Sequence, residues 1–476
     1  MKKALPISNP HLQAFVFILW AGWLSYALLK PGSTNATLKS LILLCIFFFV
    51  IATVKYLIGL LLAGLAILIT YIPSQIINLN KPLISLGAVD LFMADMAVIA
   101  TMIILLIYFL SGQFPSRSEL YQRLVSWTEF ALFFMILVNI LKLFYEGVIT
   151  TTTIRRCLFN ISAYLIILSI PYLITTSKRL KLVLFALIFG TIFIFFTYTL
   201  AGFQQGSFIR VFGGIGNPLW AMTFFLALLC ARELKIDNWF GGVVAVISVL
   251  LIVLSIHRSA YIALAISLLF LLVFKPPKKI NPKVLVTMFA IITMSSLMFP
   301  FIFHQEAKTL ENRFTQIIDD KTGTYYDRYE RLHSAIFHYE KNKLFGVPFA
   351  GDQKPFIRMP HNVFYEYLLI GGLMGITAGI FLISMTIALF GKTIFINRHK
   401  NNNIILALAA GYLFTILYVQ ANTSVRIFEE TLYFYLSLGL MLAIVKNNLF
   451  LKEIPEIKSS KTKHQGPTAD VVVGDQ

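Results

Sequence analysis

Charge is what this sequence has least of. Only 13% of its 476 residues are Asp, Glu, Lys or Arg, against about 25% in an average soluble protein. So few charges cannot coat a water-exposed surface of this size, which excludes an ordinary soluble globule. Acidic residues are the scarcer sign, 22 against 40 basic, leaving a formal charge of +18. Cysteine is nearly absent: Cys45, Cys157 and Cys230 lie in or beside apolar runs with no CxxC spacing. That excludes a disulfide framework and a cysteine zinc site. No repeat of fixed period is present, which excludes a solenoid. No nucleic-acid-binding module accompanies the positive charge, so nucleic acid is not an expected partner. Lipid headgroups and an anionic substrate are the expected counter-charges.

What the chain has is apolar surface. It is 58% hydrophobic with 43 Phe, and its mean hydropathy is +0.78. Apolar runs fall near residues 12–29, 38–53, 56–76, 89–110, 127–145, 158–174, 182–200, 219–231, 240–256, 260–274, 284–303, 363–390, 404–419 and 432–445. Their lengths predict an all-α integral membrane protein of about 12–14 transmembrane helices. Residues 1–451 are expected to form one polytopic domain. Residues 452–476 are polar and are expected to be a disordered cytoplasmic tail. Met1-Lys2-Lys3 followed by an apolar run has no small-residue cleavage site after it, so an uncleaved first span is expected.

Lys and Arg in short loops set the orientation. With both termini in the cytoplasm, Lys178, Arg179 and Lys181, Arg232 with Lys235, Lys275 to Lys283, Arg398 with Lys400, and the basic tail all fall on the inner side. Arg155 and Arg156 are the exception. Residues 201–218, 257–259, 304–360 and 422–430 then face outward. The 304–360 loop is the only sizeable polar element. Short amphipathic helices are expected at 309–319 and 326–341, the second with Leu332, Ala335, Ile336 and Tyr339 at helical spacing.

Charges in or at the lip of a membrane are costly and need a reason. On the outer side these are mostly arginines. Arg210 precedes a glycine-rich turn that ends in Asn217-Pro218, Arg258 lies between two adjacent spans, and Arg328 and Arg331 lie in the long loop. His361-Asn362 closes that loop. Arginine offers a permanent charge and a planar fork of donors suited to phosphate oxygens. Histidine is poised to take a proton near neutral pH. Together, with no acidic metal-ligand set, they point to transfer from a phosphate-linked donor to a hydroxyl. Each residue also has a plainer reading. Arg210 and Arg258 can snorkel to headgroups, His361 can cap a helix, and Gly371, Gly372 and Gly375 can be packing positions. Asp90, Asp95 and Glu129 are expected to pair internally or line a cavity.

From Arg210 to about Gly375 the chain resembles the O-antigen ligase and polymerase superfamily of bacterial membrane glycosyltransferases. Four pieces carry the resemblance in order. They are Arg210…Gly216-Asn217-Pro218, His257-Arg258-Ser259-Ala260, Arg328…Leu344-Phe345-Gly346-Val347, and Pro360-His361-Asn362…Gly371-Gly372-Leu373-Met374-Gly375. The chain departs from the usual pattern at Leu332, where Trp is common, and at His257, Lys343 and Pro348.

The resemblance implies a C-type glycosyltransferase fold with one large periplasmic loop, in the bacterial inner membrane. It implies an undecaprenyl-diphosphate-linked glycan donor and a lipid A-core sugar hydroxyl as acceptor. A lipid-linked glycan is the acceptor if the chain is a polymerase. By the same carry-over His361 is the general base, and Arg258 and Arg328 bind and stabilise the leaving diphosphate. Arg210, Asn217, Arg331 and Asn362 help bind substrate. No metal or other cofactor is implied, and the anomeric centre inverts. The rival from another class is a flippase or transporter, which would hold its charges near the midplane on broken helices.

Overall fold

The computed structural model describes residues 84–86, 89–91, 121–145, most of 151–195, 217–255 except 232, 258–274, parts of 330–347, 363–397, 402–421 and 427–449. The expected spans near 12–29, 38–53, 56–76 and 284–303, the amphipathic helix at 309–319 and the tail 452–476 lie outside the described residues, as do Cys45 and Asp95.

The described chain is helical apart from one small hairpin. The helices are α1 (Gln122–Tyr145), α2 (Thr151–Leu173), α3 (Asn217–Cys230), α4 (Asn238–Leu254), α5 (Arg258–Phe274), α6 (Val363–Asn397), α7 (Asn403–Ala421) and α8 (Ile427–Lys446). A further helix begins at residue 177. The hairpin is a local exception among the described residues and leaves the architecture α-helical as expected. Strand β1 (Ile84–Leu86) pairs antiparallel with β2 (Val89–Leu91), Leu86 opposite Val89 and Ser85 opposite Asp90. A span was expected from Val89 onward. Locally, Ile-Ser-Leu and Val-Asp-Leu alternate apolar and polar residues around Gly87-Ala88, which is hairpin patterning.

Helix α1 shows how the sequence divides each helix between core and surroundings. Val125, Thr128, Leu132, Met135, Asn139 and Lys142 recur every three or four residues and are buried. On the opposite face Trp127, Phe130, Phe133, Leu137, Leu141 and Phe144 are 38–71% exposed. A soluble protein does not turn such a stripe to water, whereas lipid solvates it. Exposed Ile262, Ile266, Leu269, Leu272 and Val273 on α5 and Ile380, Ile387 and Phe395 on α6 do the same. Among the described residues, Gln122–Tyr145 and Gly371–Asn397 are long and apolar enough to cross a membrane, and shorter apolar helices accompany them. This is the pattern of an α-helical membrane protein.

At the centre lies α3, all of whose residues are buried. Its main neighbours are α4 and α7, and α5 packs on the far side of α7. The α3–α7 approach is close because α7 has a glycine there: a Cβ on Gly411 would sit 3.2 Å from Cα of Met222. Elsewhere α6 lies along α1, and α8 along α2.

Polar contacts join the helices at one end of the bundle. Lys446 Nζ, 2% exposed, meets Glu129 Oε1 at 2.5 Å and the Tyr172 hydroxyl at 3.0 Å. The Asn447 amide donates to the carbonyls of Pro171 at 2.7 Å and Ile174 at 3.0 Å, near the place where Pro171 interrupts the α2 ladder. Asn397 reaches the Tyr121 hydroxyl, and Asn403 donates to Glu233. These contacts bring the start of α1, the ends of α2, α3, α6 and α8, and the start of α7 to one side. The starts of α3, α5 and α8 and the end of α1 therefore share the other side. Glu129 pairs internally, as expected of it. Arg155 and Arg156 fall within α2 rather than in a loop, and Cys157 and Cys230 are buried and form no disulfide among the described residues.

Breaking one partner of a buried ion pair leaves the other charge uncompensated, at a cost of about 3–5 kcal/mol. Lys446→Met should therefore lower the unfolding temperature in detergent markedly. Adding Glu129→Gln to it should recover part of the loss, which a thermal-shift comparison of the single and double variants would measure.

Candidate active site

The side of the bundle opposite Lys446 holds two assemblies. The first is a broken helix. Within α6, Gly372 has φ 61° and ψ −153°, a backbone region essentially restricted to glycine. The break divides α6 into a short stub, 363–371, and a long arm. The stub folds back on the arm. In a straight helix Tyr367 and Gly379 would lie about 18 Å apart, yet a Cβ on Gly379 would fall 2.5 Å from the Tyr367 ring. A Cβ on Gly375 would fall 2.8 Å from the Tyr367 carbonyl oxygen. The buried Tyr367 hydroxyl also hydrogen-bonds that of Tyr435 on α8 at 2.9 Å. The single span expected over 363–390 is thus two pieces, and Gly372 is a hinge rather than only a packing position.

A break leaves backbone groups without helical partners. In a continuous helix the Leu373 N–H would donate to the Leu369 carbonyl. Here a turn of the long loop takes over both groups. Leu373 N–H donates to the Lys343 carbonyl at 2.8 Å, and Val347 N–H donates to the Leu369 carbonyl at 2.7 Å. Met374 N–H donates to the Leu344 carbonyl at 3.2 Å, and Gly346 N–H closes the turn on the Asn342 carbonyl at 2.8 Å. Contact is so close that a Cβ on Gly372 would sit 2.5 Å from Gly346 N and from the Leu344 carbonyl. Gly346 itself has φ 67°. The end of α1 completes the assembly. Phe345 packs its ring 4.9 Å from that of Tyr145, and buried Lys142 donates from Nζ to the Val347 carbonyl at 2.5 Å.

The second assembly is the corner between α4 and α5, where Arg258 is the first helical residue. Ser255, at the end of α4, donates its hydroxyl to the Ile252 carbonyl at 2.7 Å and accepts the Asn217 amide at 3.0 Å. Tyr261 donates to the Val253 carbonyl at 2.7 Å. The start of α3 and the start of α5 are thereby tied together. Asn217 is fully buried, and its Oδ1 has no hydrogen-bond partner among the described residues.

Of the sequence-derived site residues, Asn217 and the backbone of Arg258 fall in this corner, on the same side of the bundle as the broken helix. Arg210, Arg328, Arg331, His361 and Asn362 lie outside the described residues, although α6 begins immediately after Asn362. In the loop helix, Ile336 is exposed rather than facing a core, as is Phe337. Lys142 was not anticipated. The signal for it was present: a lone lysine near the end of an apolar run calls for a local reason.

A family model for O-antigen ligases matches residues 243–380. The match spans the Arg258 corner, the loop turn at 342–347 and the broken part of α6, and it ends before α7. No curated protein matches the chain.

Gly371 and Gly372 provide a matched pair for a test. Nothing lies within 4 Å of a Cβ on Gly371, so Gly371→Ala should leave stability unchanged. Gly372→Ala faces both strain and overlap and should cost about 2–5 kcal/mol. Unfolding temperatures of the two variants in detergent would check the difference.

Proposed function

Taking as premise that residues 243–380 belong to the O-antigen ligase family, we propose that this protein is a metal-independent, inverting glycosyltransferase. It moves a glycan from undecaprenyl diphosphate to a sugar hydroxyl of lipid A-core. The Lys142 side of the bundle is the periplasmic side of the bacterial inner membrane, both termini are cytoplasmic, and residues 304–360 form the periplasmic loop. The observation that carries this reading is the docking of two family segments, the loop turn and the broken α6, on the same side as the Arg258 corner.

His361 accepts the proton of the acceptor hydroxyl. The oxygen forms a bond to the anomeric carbon from the face opposite the diphosphate. The carbon–oxygen bond to the diphosphate breaks, and its electron pair leaves with that oxygen. Arg258 and Arg328, helped by Arg210, neutralise the charge that develops there. Donors of this kind contribute about 3–4 kcal/mol each where they have been removed individually. Arg331, Asn217 and Asn362 hold the glycan and the geometry of the site. The isoprenoid tail stays in lipid, and this explains why the enzyme lies in the bilayer.

The alternative within the family is polymerisation, with a second lipid-linked glycan as acceptor. A deletion strain separates the two. Loss of a ligase leaves core without O-chains while lipid-linked polymer accumulates, and loss of a polymerase leaves core bearing a single repeat unit.

His361→Ala and Arg258→Ala should each abolish transfer by purified protein while leaving its elution and unfolding temperature unchanged. EDTA should leave the rate unchanged. Normal transfer by a stable His361→Ala variant would remove the general-base role, and reversible loss on chelation would count against leaving-group stabilisation by arginine alone.

A further inference from the structure

We infer that Lys142 is a positioning residue that fixes the turn 342–347 of the long loop relative to the membrane helices. Backbone hydrogen bonds tie the loop turn 342–347 to the hinge of α6, and a hinge alone does not set the position of the turn against the rest of the bundle. Against α1 the turn has the ring contact of Phe345 with Tyr145 and a hydrogen bond from Lys142. Lys142 stands one turn before the end of α1, is 2% exposed, and donates to the carbonyl of Val347. Val347 is also the residue whose N–H caps Leu369. The two faces of one peptide residue are thus held by different helices, the N–H by α6 and the carbonyl by α1.

The chemistry favours a lysine in this place. A charge-assisted bond from an ammonium is stronger than one from a neutral donor. The aliphatic stem lies along apolar α1 surface while its tip reaches the polar end. A buried cation is expensive unless it is well satisfied, so Lys142 resists any arrangement in which the turn departs. Arg328 and Arg331 precede the anchored turn in sequence and His361 follows it, so the turn lies in the chain between the cationic residues and the imidazole of the proposed site.

The kinetic part of this inference rests on the transferase reading, and the structural part does not. The test uses the full-length protein in lipid nanodiscs, with Cys45, Cys157 and Cys230 replaced by Ala and a spin label attached at Leu344→Cys, a half-exposed position on the turn. With Lys142 present the label should give an immobilised spectrum. Lys142→Met should convert it to a mobile one, and Lys142→Arg should restore immobility. In transfer assays Lys142→Met should lower kcat at least tenfold with KM for the lipid-linked donor changed less than threefold, and Lys142→Arg should recover most of the rate.

An immobile label in Lys142→Met overturns the inference, whatever the activity. So does a mobile label with unchanged kcat in a protein shown to be a transferase. If the wild-type protein transfers no glycan, the functional reading fails and the spectra still decide whether Lys142 anchors the turn. Should Lys142→Met not fold, Lys142→Gln, which shortens the side chain and removes its charge, takes its place: a label more mobile than in the wild-type protein supports the anchor, and one equally immobile overturns it.

Discussion

The satisfaction of backbone groups at the break in α6 is the constraint on which the rest of this side of the molecule depends. In a membrane protein an unpaired N–H or carbonyl costs several kcal/mol wherever water does not reach it, so helices there stay continuous unless another segment replaces the lost bonds. Residues 343–347 do so with matched spacing. Lys343 and Val347 are four residues apart, as are Leu369 and Leu373, and the turn meets the Leu373 and Met374 N–H groups and the Leu369 carbonyl. The turn is in effect inserted into a helical hydrogen bond. The insertion requires glycine at two places. Gly372 adopts a backbone conformation that a side chain would strain, and Gly346 turns the loop backbone where it touches the hinge.

This arrangement gives the family's loop signature and its glycine signature one physical meaning. Read along the chain they are separate motifs, one in a polar loop and the other in an apolar run. In space they are two halves of a joint. The joint directs the start of α6 back towards the long arm. The corner formed by Ser255, Asn217 and Tyr261 has a similar role for Arg258. It fixes the start of α5 through hydrogen bonds from α3 and from α5 itself. Both assemblies hold backbone at a defined place on one side of the bundle, which is what the proposed transfer from a lipid-anchored diphosphate requires of the groups that bind it.

The opposite side uses different means. There the helices are joined by side chains, with Lys446 between Glu129 and Tyr172, and Asn447 capping the carbonyls near Pro171. Between the two ends the contacts are mainly apolar, with polar pairs such as Thr191 with Thr223, and small residues permit close approach, as at Gly411 against Met222. A bundle with polar ties at its ends and an apolar middle is what lipid selects, because polar groups in the middle find few partners.

Much of the helical content was legible in the sequence because it follows from local quantities. Apolar runs of Leu, Ile, Phe and Ala mark α1 to α8, and the three-four spacing of Val125, Thr128, Leu132, Met135, Asn139 and Lys142 marks the buried face of α1. Membrane character followed from scarce charge. The resemblance over Arg210 to Gly375 was readable because short motifs in order survive as text. Other features were not readable. Period-two patterning too short to stand out hid the hairpin at Ile84–Leu91, and an unbroken apolar run hid the hinge at Gly372. Neither the pairing of Lys142 with Val347, 205 residues apart, nor that of Glu129 with Lys446, 317 apart, leaves any local trace. The sequence by itself determined the solvent, the helices and the chemical types available for a site. Tertiary structure decided which backbone groups replace those lost at the break and which helix ends share a side, because hydrogen-bond partners are chosen by proximity in space and not by spacing along the chain.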